Sequence, residues 1–97
     1  MSYSCFLAGL SFRPIDAKAA ANELIEGDQL NLVREPTNRF DENAIQVHTL
    51  NGDFIGYIAK DLAATLAPMI DNGVNFICRV GIRVSATKFE LIVSDDE

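Results

Sequence analysis

At 97 residues and 48% hydrophobic side chains, the chain is sized for one domain with a modest core and is too aliphatic for a disordered acidic segment. Its formal net charge of −6 and pI near 4.6 argue against sequence-independent duplex binding, which scales with the phosphates that Lys and Arg neutralise. A small local basic site is compatible with that balance, at the cost of slower association against repulsion elsewhere.

Cys5 and Cys78 lack CxxC spacing and His48 is the single histidine, so no metal or cofactor pattern is present and both thiols read as buried and reduced. The N-terminus has neither the basic region nor the long apolar region of a secretory signal, and no apolar run approaches the roughly 18 residues of a membrane span. The expectation is a cytoplasmic protein without membrane contact.

In chain order, Ser4 to Leu10 reads as a strand, with Gly9 marking a bulge or a close backbone approach. Alanines at 17, 19, 20 and 21 predict a helix over about 15–26, started near Asp16 and ended by Gly27. "QLNLVRE" alternates as a strand that Pro36 stops. "AIQVHTL" and "FIGYI" are strands joined by the Asn-Gly turn at 51–53. "KDLAATLAPMIDNG" places Leu62, Leu66 and Met69 or Ile70 on one helical stripe, with a kink or a second short helix expected at Pro68. "VNFICRVGIRV", bulged at Gly81, pairs with "KFELIV" across "SAT". The order β-α-β-β-β-α-β-β predicts an α+β, mainly β domain, a small six-stranded barrel with two short helices spanning 1–94. Ser94 begins a frayed end, and 95–97 form an acidic tail.

The densest chemistry lies in "REPTNRFDENAIQV", 34–47. Asn38, Asp41 and Asn43 are turn formers, and Arg34 with Glu35 reads equally well as an ordinary exposed pair. Yet the connection is longer than most hairpin loops and sets Phe40 between Arg39 and Asp41. Phe40 is either a stacking platform for a base, with Asn or Asp beside it for a sugar hydroxyl, or a plug in the core. In "GYIAKDLA", 56–63, Tyr57 ends a strand and Lys60 opens a helix. Free N–H groups and a lysine at a helix start suit phosphate, although Lys60 reads as well as a solvated residue and Tyr57 as a rim aromatic.

Together these two stretches resemble the HIRAN domain family, whose pattern runs R-x-P-x-N-P-[YF]-D-x-N-A-I-x-V, then a hairpin, then G-[YH]-[LIV]-x-K and an Ala/Leu-rich helix. The similarity covers about Gly27 to Gly73. It implies an OB-like small barrel that binds single-stranded DNA and captures a free 3′-hydroxyl end, as in fork-remodelling members. On the resemblance, Asn38 matches the motif asparagine, Phe40 stacks on a terminal base, and Asp41 accepts a hydrogen bond from the 3′-hydroxyl. Tyr57 takes the place of an aromatic or histidine, Lys60 that of a phosphate-binding lysine, and Phe6 that of an aromatic on the first strand. Arg39 replaces the usual proline, which adds a phosphate or stacking contact but loosens the loop. Cys5 stands near where DNA-binding members carry an arginine. Arg13, after the first strand, is a further phosphate candidate.

The leading expectation is a non-catalytic module for single-stranded DNA 3′ ends in repair or replication. The alternative is a protein-interaction or regulatory module that kept the fold and lost the DNA, which the acidic balance favours. An enzyme is disfavoured: Asp41 and Glu42 are adjacent on a loop with nothing spaced to complete a metal site, and there is no GxxxxGK[ST].

Overall fold

The computed structural model describes residues 1–95. Six antiparallel strands are β1 Ser2–Phe6, β2 Gln29–Arg34, β3 Ile45–Thr49, β4 Phe54–Tyr57, β5 Phe76–Ser85 and β6 Lys88–Asp95. The helices are α1 Ile15–Asn22 and α2 Lys60–Asp71, with a 3-10 turn at Leu10–Phe12.

The sheet order β1-β6-β5-β2-β3-β4 leaves β1 and β4 as edges, and the sheet curls until they meet. They meet at one point, where Ala8 and Tyr57 exchange both backbone hydrogen bonds at 2.9 Å. The expected six-stranded OB-like barrel is therefore a curled half-barrel with a single-pair seam. Gly56 makes the seam possible: a Cβ there would lie 2.5 Å from the Ala8 carbonyl oxygen and 3.0 Å from Leu7. On the other side, β2 pairs with β5 only at Gln29↔Arg79 and Leu30↔Cys78, so the sheet parts beyond Leu30.

Inward positions alternate along the strands, as one buried face demands. Leu30, Ile45, Val47, Cys78, Val80, Phe89, Leu91 and Val93 form the core, and α2 adds Ala63, Leu66 and Ala67 to it. Each fully buried large aliphatic contributes about 1.5–3 kcal/mol. Burial pushes the Cys78 thiol up to about 12, with the neighbouring Cys5 adding to the shift, and burial also raises Cys5. Both cysteines are free.

Several boundaries differ from expectation. The first strand ends at Phe6, because Gly9 turns the chain at φ 80° and Leu10 enters the 3-10 turn. The first helix stops at Asn22 rather than 26, where the Arg83 guanidinium donates to the carbonyls of Ala21 and Leu24 at 2.8 and 3.0 Å. The second helix runs unbroken through Pro68, whose missing N–H falls on the exposed side beside Ala64 and Thr65, where water can take the freed carbonyl. The Asn51-Gly52 turn is a four-residue connection, 50–53, tied by Thr49 and Asp53, instead of a two-residue one. β6 continues through Ser94 and Asp95, which pair with Ile77 and Phe76, so the fraying expected there does not begin at Ser94. Asp96 and Glu97 lie outside the described residues.

Candidate nucleic-acid interface

The connection 35–44 is held at both ends. Glu35 N–H donates to the Ala44 carbonyl at 2.9 Å. Arg34 then clamps the far side. Its Nη1 donates to the Ala44 carbonyl at 2.7 Å and its Nη2 to Glu42 at 3.1 Å, while Nε and Nη2 grip the Asp71 carboxylate at the end of α2. Arg34 therefore pairs with Asp71, and Glu35 faces the other way. The bond to Asp71 raises the Arg34 pKa, and the same bond lowers that of Asp71.

Inside the loop, side chains replace strand pairing. Asn38 Oδ1 accepts from the N–H groups of Phe40 and Asp41 at 2.8 and 3.0 Å, and Asp41 Oδ1 accepts from Asn43 N–H at 2.9 Å. These bonds commit the Asn38 carbonyl oxygen to the loop, while its amide lies beside Glu35 and Tyr57. Asp41 Oδ2 makes no hydrogen bond among the described residues. Phe40 is held outward at 90% exposure, so it is no core plug.

An open cavity of about 330 Å³ lies against this loop, lined by Ala8, Asn38, Phe40, Asp41, Ala44, Tyr57, Ile58 and Lys60. Thus five sequence-predicted residues, Asn38, Phe40, Asp41, Tyr57 and Lys60, meet at one concavity from a loop, a strand end and a helix start. Lys60 is exposed at the N-terminus of α2, whose first turn has no side-chain cap. Three candidates do not line it. Arg39 is exposed on the loop beside Phe40. Phe6, 46% exposed, sits two positions from Ala8 and carries Lys88 Nζ 4.6 Å from its ring centroid. Arg13 lies over the Phe54 ring at 3.8 Å. A second recess of about 180 Å³, where β2 and β5 part, holds none of these groups.

The face running on from Tyr57 had no counterpart in the sequence reading. Tyr57 OH donates to Glu35 Oε1 at 2.8 Å, Gln46 Nε2 donates to the same oxygen at 2.9 Å, and Gln46 Oε1 meets His48 Nε2 at 2.7 Å. With Gln46 Oε1 as acceptor, His48 Nε2 carries a hydrogen. The bonds from Gln46 and then Tyr57 hold the Glu35 carboxyl below its usual range. Burial, then the bond to Glu35, raises Tyr57. Above this chain the rings pack in series: His48 stacks on Phe54 at 5.3 Å and 8°, and Phe54 meets Tyr57 edge-on at 5.3 Å.

A bulge creates that series. Phe54 and Tyr57 are an odd number of positions apart, so a regular strand would put them on opposite faces. Opposite them, His48 pairs with Phe54, Val47 with Gly56 and Gln46 with Tyr57, and the register shifts between Val47 and His48. The extra residue, Ile55, is buried, and both aromatics come out on one side. An apolar Ile-Gly pair between two aromatics was the only local signal of it.

No group of three His, Cys, Asp or Glu among the described residues is placed to hold a metal ion. No helix is long and apolar enough to cross a membrane.

A curled six-strand half-barrel with a largely apolar cavity at its seam, edged by Asn38, Asp41 and Lys60, defines a small ligand-binding β module. The chain belongs to the HIRAN domain family, whose model matches residues 1–96. The helicase-like transcription factor of Oryctolagus cuniculus is 49% identical to it over 45 residues, which are 46% of this chain and 4% of that protein. A protein from Lactobacillus plantarum superposes with a TM-score of 0.85 at 26% identity, covering 98% of this chain and 97% of that one. The HIRAN domain of HLTF in its DNA-bound conformation superposes at 0.70 with 26% identity, covering 97% of this chain and 73% of that one. The chain thus spans a small fraction of the rabbit relative and nearly all of the Lactobacillus plantarum one.

Proposed function

We propose that this protein is a non-catalytic module that binds single-stranded DNA and captures its free 3′-hydroxyl end, in repair or replication-type processing. The observation that carries the reading is the cavity where an outward-held Phe40 and a half-committed Asp41 face Tyr57 and Lys60. The DNA-bound conformation recorded for the similar HLTF domain supports it. Phe40 stacks on the terminal base. Asp41 Oδ2, acceptor-only when ionised, takes the hydrogen of the 3′-hydroxyl, and the Asn38 amide donates to the sugar. Lys60 and the open first turn of α2 hold the phosphate, and Arg39 adds charge at the rim. A 3′-phosphate would set like charge against Asp41 and offer it no hydrogen, so one carboxylate both accepts the right end and repels the wrong one.

Fluorescence anisotropy at low salt tests this with labelled strands of one sequence ending in a free 3′-hydroxyl, a 3′-phosphate or a blocked 3′ end, and with a circle. Binding confined to the free hydroxyl is expected. Asp41→Asn keeps the turn acceptor for Asn43 but removes the charge, and should narrow the preference over 3′-phosphate. Equal loss for both ends would reduce Asp41 to shaping the loop. No binding of any strand at protein near ~10⁻⁴ M, where weak non-specific contacts already register, turns the assignment to a protein-interaction module.

A further inference from the structure

Beyond the terminal cavity, the aromatic series does not stop at Tyr57. The β4 bulge carries it to Phe54 and His48, and Arg13 lies on top. Arg13 Nε donates to the Phe54 carbonyl at 3.0 Å, which fixes the guanidinium 3.8 Å above the Phe54 ring centroid. Its terminal nitrogens make no hydrogen bond among the described residues. The 3-10 turn that presents Arg13 starts at Gly9 and packs on β4. Phe12, the residue before Arg13, is 89% exposed.

We propose that Tyr57, Phe54 and Arg13 form a second nucleotide subsite, which receives the nucleotide on the 5′ side of the captured end. This rests on the proposed capture of single-stranded DNA. The occupant follows from the chemistry and from continuity. Tyr57 belongs both to the cavity and to the strip, so a strand leaving the cavity over Tyr57 reaches Arg13 next. A guanidinium held flat on an aromatic ring offers a plane for a base to stack on, while its free N–H groups reach a phosphate. Phe12 stands beside it as an exposed aromatic for the same base or the next. The alternative exit, past Ala8 to Phe6 and Lys88, lies on the other side of the seam.

The test is affinity against strand length, with a nucleoside 5′-monophosphate, a dinucleotide and a tetranucleotide of one sequence, each with a free 3′-hydroxyl. The variants are Arg13→Ala, Arg13→Lys and Lys88→Ala. Wild-type binding should tighten from mononucleotide to dinucleotide. Arg13→Ala should lose about tenfold on the dinucleotide and the tetranucleotide, the scale of one stacked base, and little on the mononucleotide. The slope of log K against log salt should fall by about 0.7, one phosphate contact on a single strand. Arg13→Lys should restore the salt slope but not the whole affinity, since it keeps charge without the plane. Equal losses at all lengths overturn the subsite and make Arg13 a support of the terminal cavity. Length-dependent loss in Lys88→Ala with none in Arg13→Ala overturns it in favour of the β1 side. Wild-type affinity that is finite but independent of length leaves end capture standing and removes the subsite. No binding at any length removes both.

Discussion

Tyr57 donates its hydroxyl hydrogen to Glu35 Oε1 at 2.8 Å, from the strand end to the start of the loop that carries Phe40. The bond fixes the ring at the cavity wall and ties the loop base to β4. Glu35 has a lowered folded-state pKa, so its contribution to stability is present above the ordinary value of 4.5 and is lost as pH falls through the lower, folded one. Asp71, lowered by Arg34, acts in the same sense. Acid unfolding followed by circular dichroism should show both, and Glu35→Gln should remove part of the slope below about pH 4.5. Tyr57 is raised, so its contribution is full below 10 and is lost as pH rises through its folded value. Ultraviolet titration should find one tyrosine ionising late, and in Glu35→Gln that lag should shrink.

Gly56→Ala tests the seam. The added methyl meets the Ala8 carbonyl oxygen at 2.5 Å, and that oxygen accepts one of the two hydrogen bonds closing the half-barrel. Neither strand can yield without parting from the other. A loss of about 1–3 kcal/mol is expected in urea unfolding, the range for overpacking. An unchanged midpoint would mean that the seam can open to admit a methyl group.

Arg34→Ala should detach the loop from α2. The substitution strips the Glu42 carbonyl of its side-chain donor and leaves the Ala44 carbonyl with Glu35 N–H alone, and charged hydrogen bonds of this kind contribute about 1.5–3 kcal/mol. Limited proteolysis should then cut within 36–43. Asp71→Asn should cost less, because Arg34 keeps its carbonyl partners and Asp71 is the more exposed of the pair.

Cys78 is fully buried and its thiol is pushed up to about 12, so it should resist alkylation in the native protein at neutral pH. Mass spectrometry after iodoacetamide treatment should find it modified only with denaturant present. Modification under native conditions at the rate of a free thiol would show that β5 opens locally.

Much of the site was legible because its signals are local. The Asn38 and Asp41 side chains accept from backbone N–H groups within three positions, so their spacing alone specifies a shaped turn. The binary pattern of Ile45 and Val47 fixes which face of β3 is buried. The missed features depend on distant partners. Arg34 finds Asp71 across 37 positions, and Arg83 ends α1 across 62, with no local trace of either. The β4 bulge left only the Ile-Gly pair between two aromatics as a local trace, because "FIGYI" has no polar alternation to mark its faces. Only the meeting with Ala8 shows why a glycine must sit opposite Val47.

Tyr57 spends its backbone on closing the half-barrel and its side chain on lining the cavity. Breathing of the one is therefore breathing of the other: the amides of Ala8 and Tyr57 can exchange their hydrogens with solvent only when the cavity wall swings away. A strand seated on Tyr57 holds that gate shut, and the slowing of these two amides against deuterium would report occupancy from inside the fold.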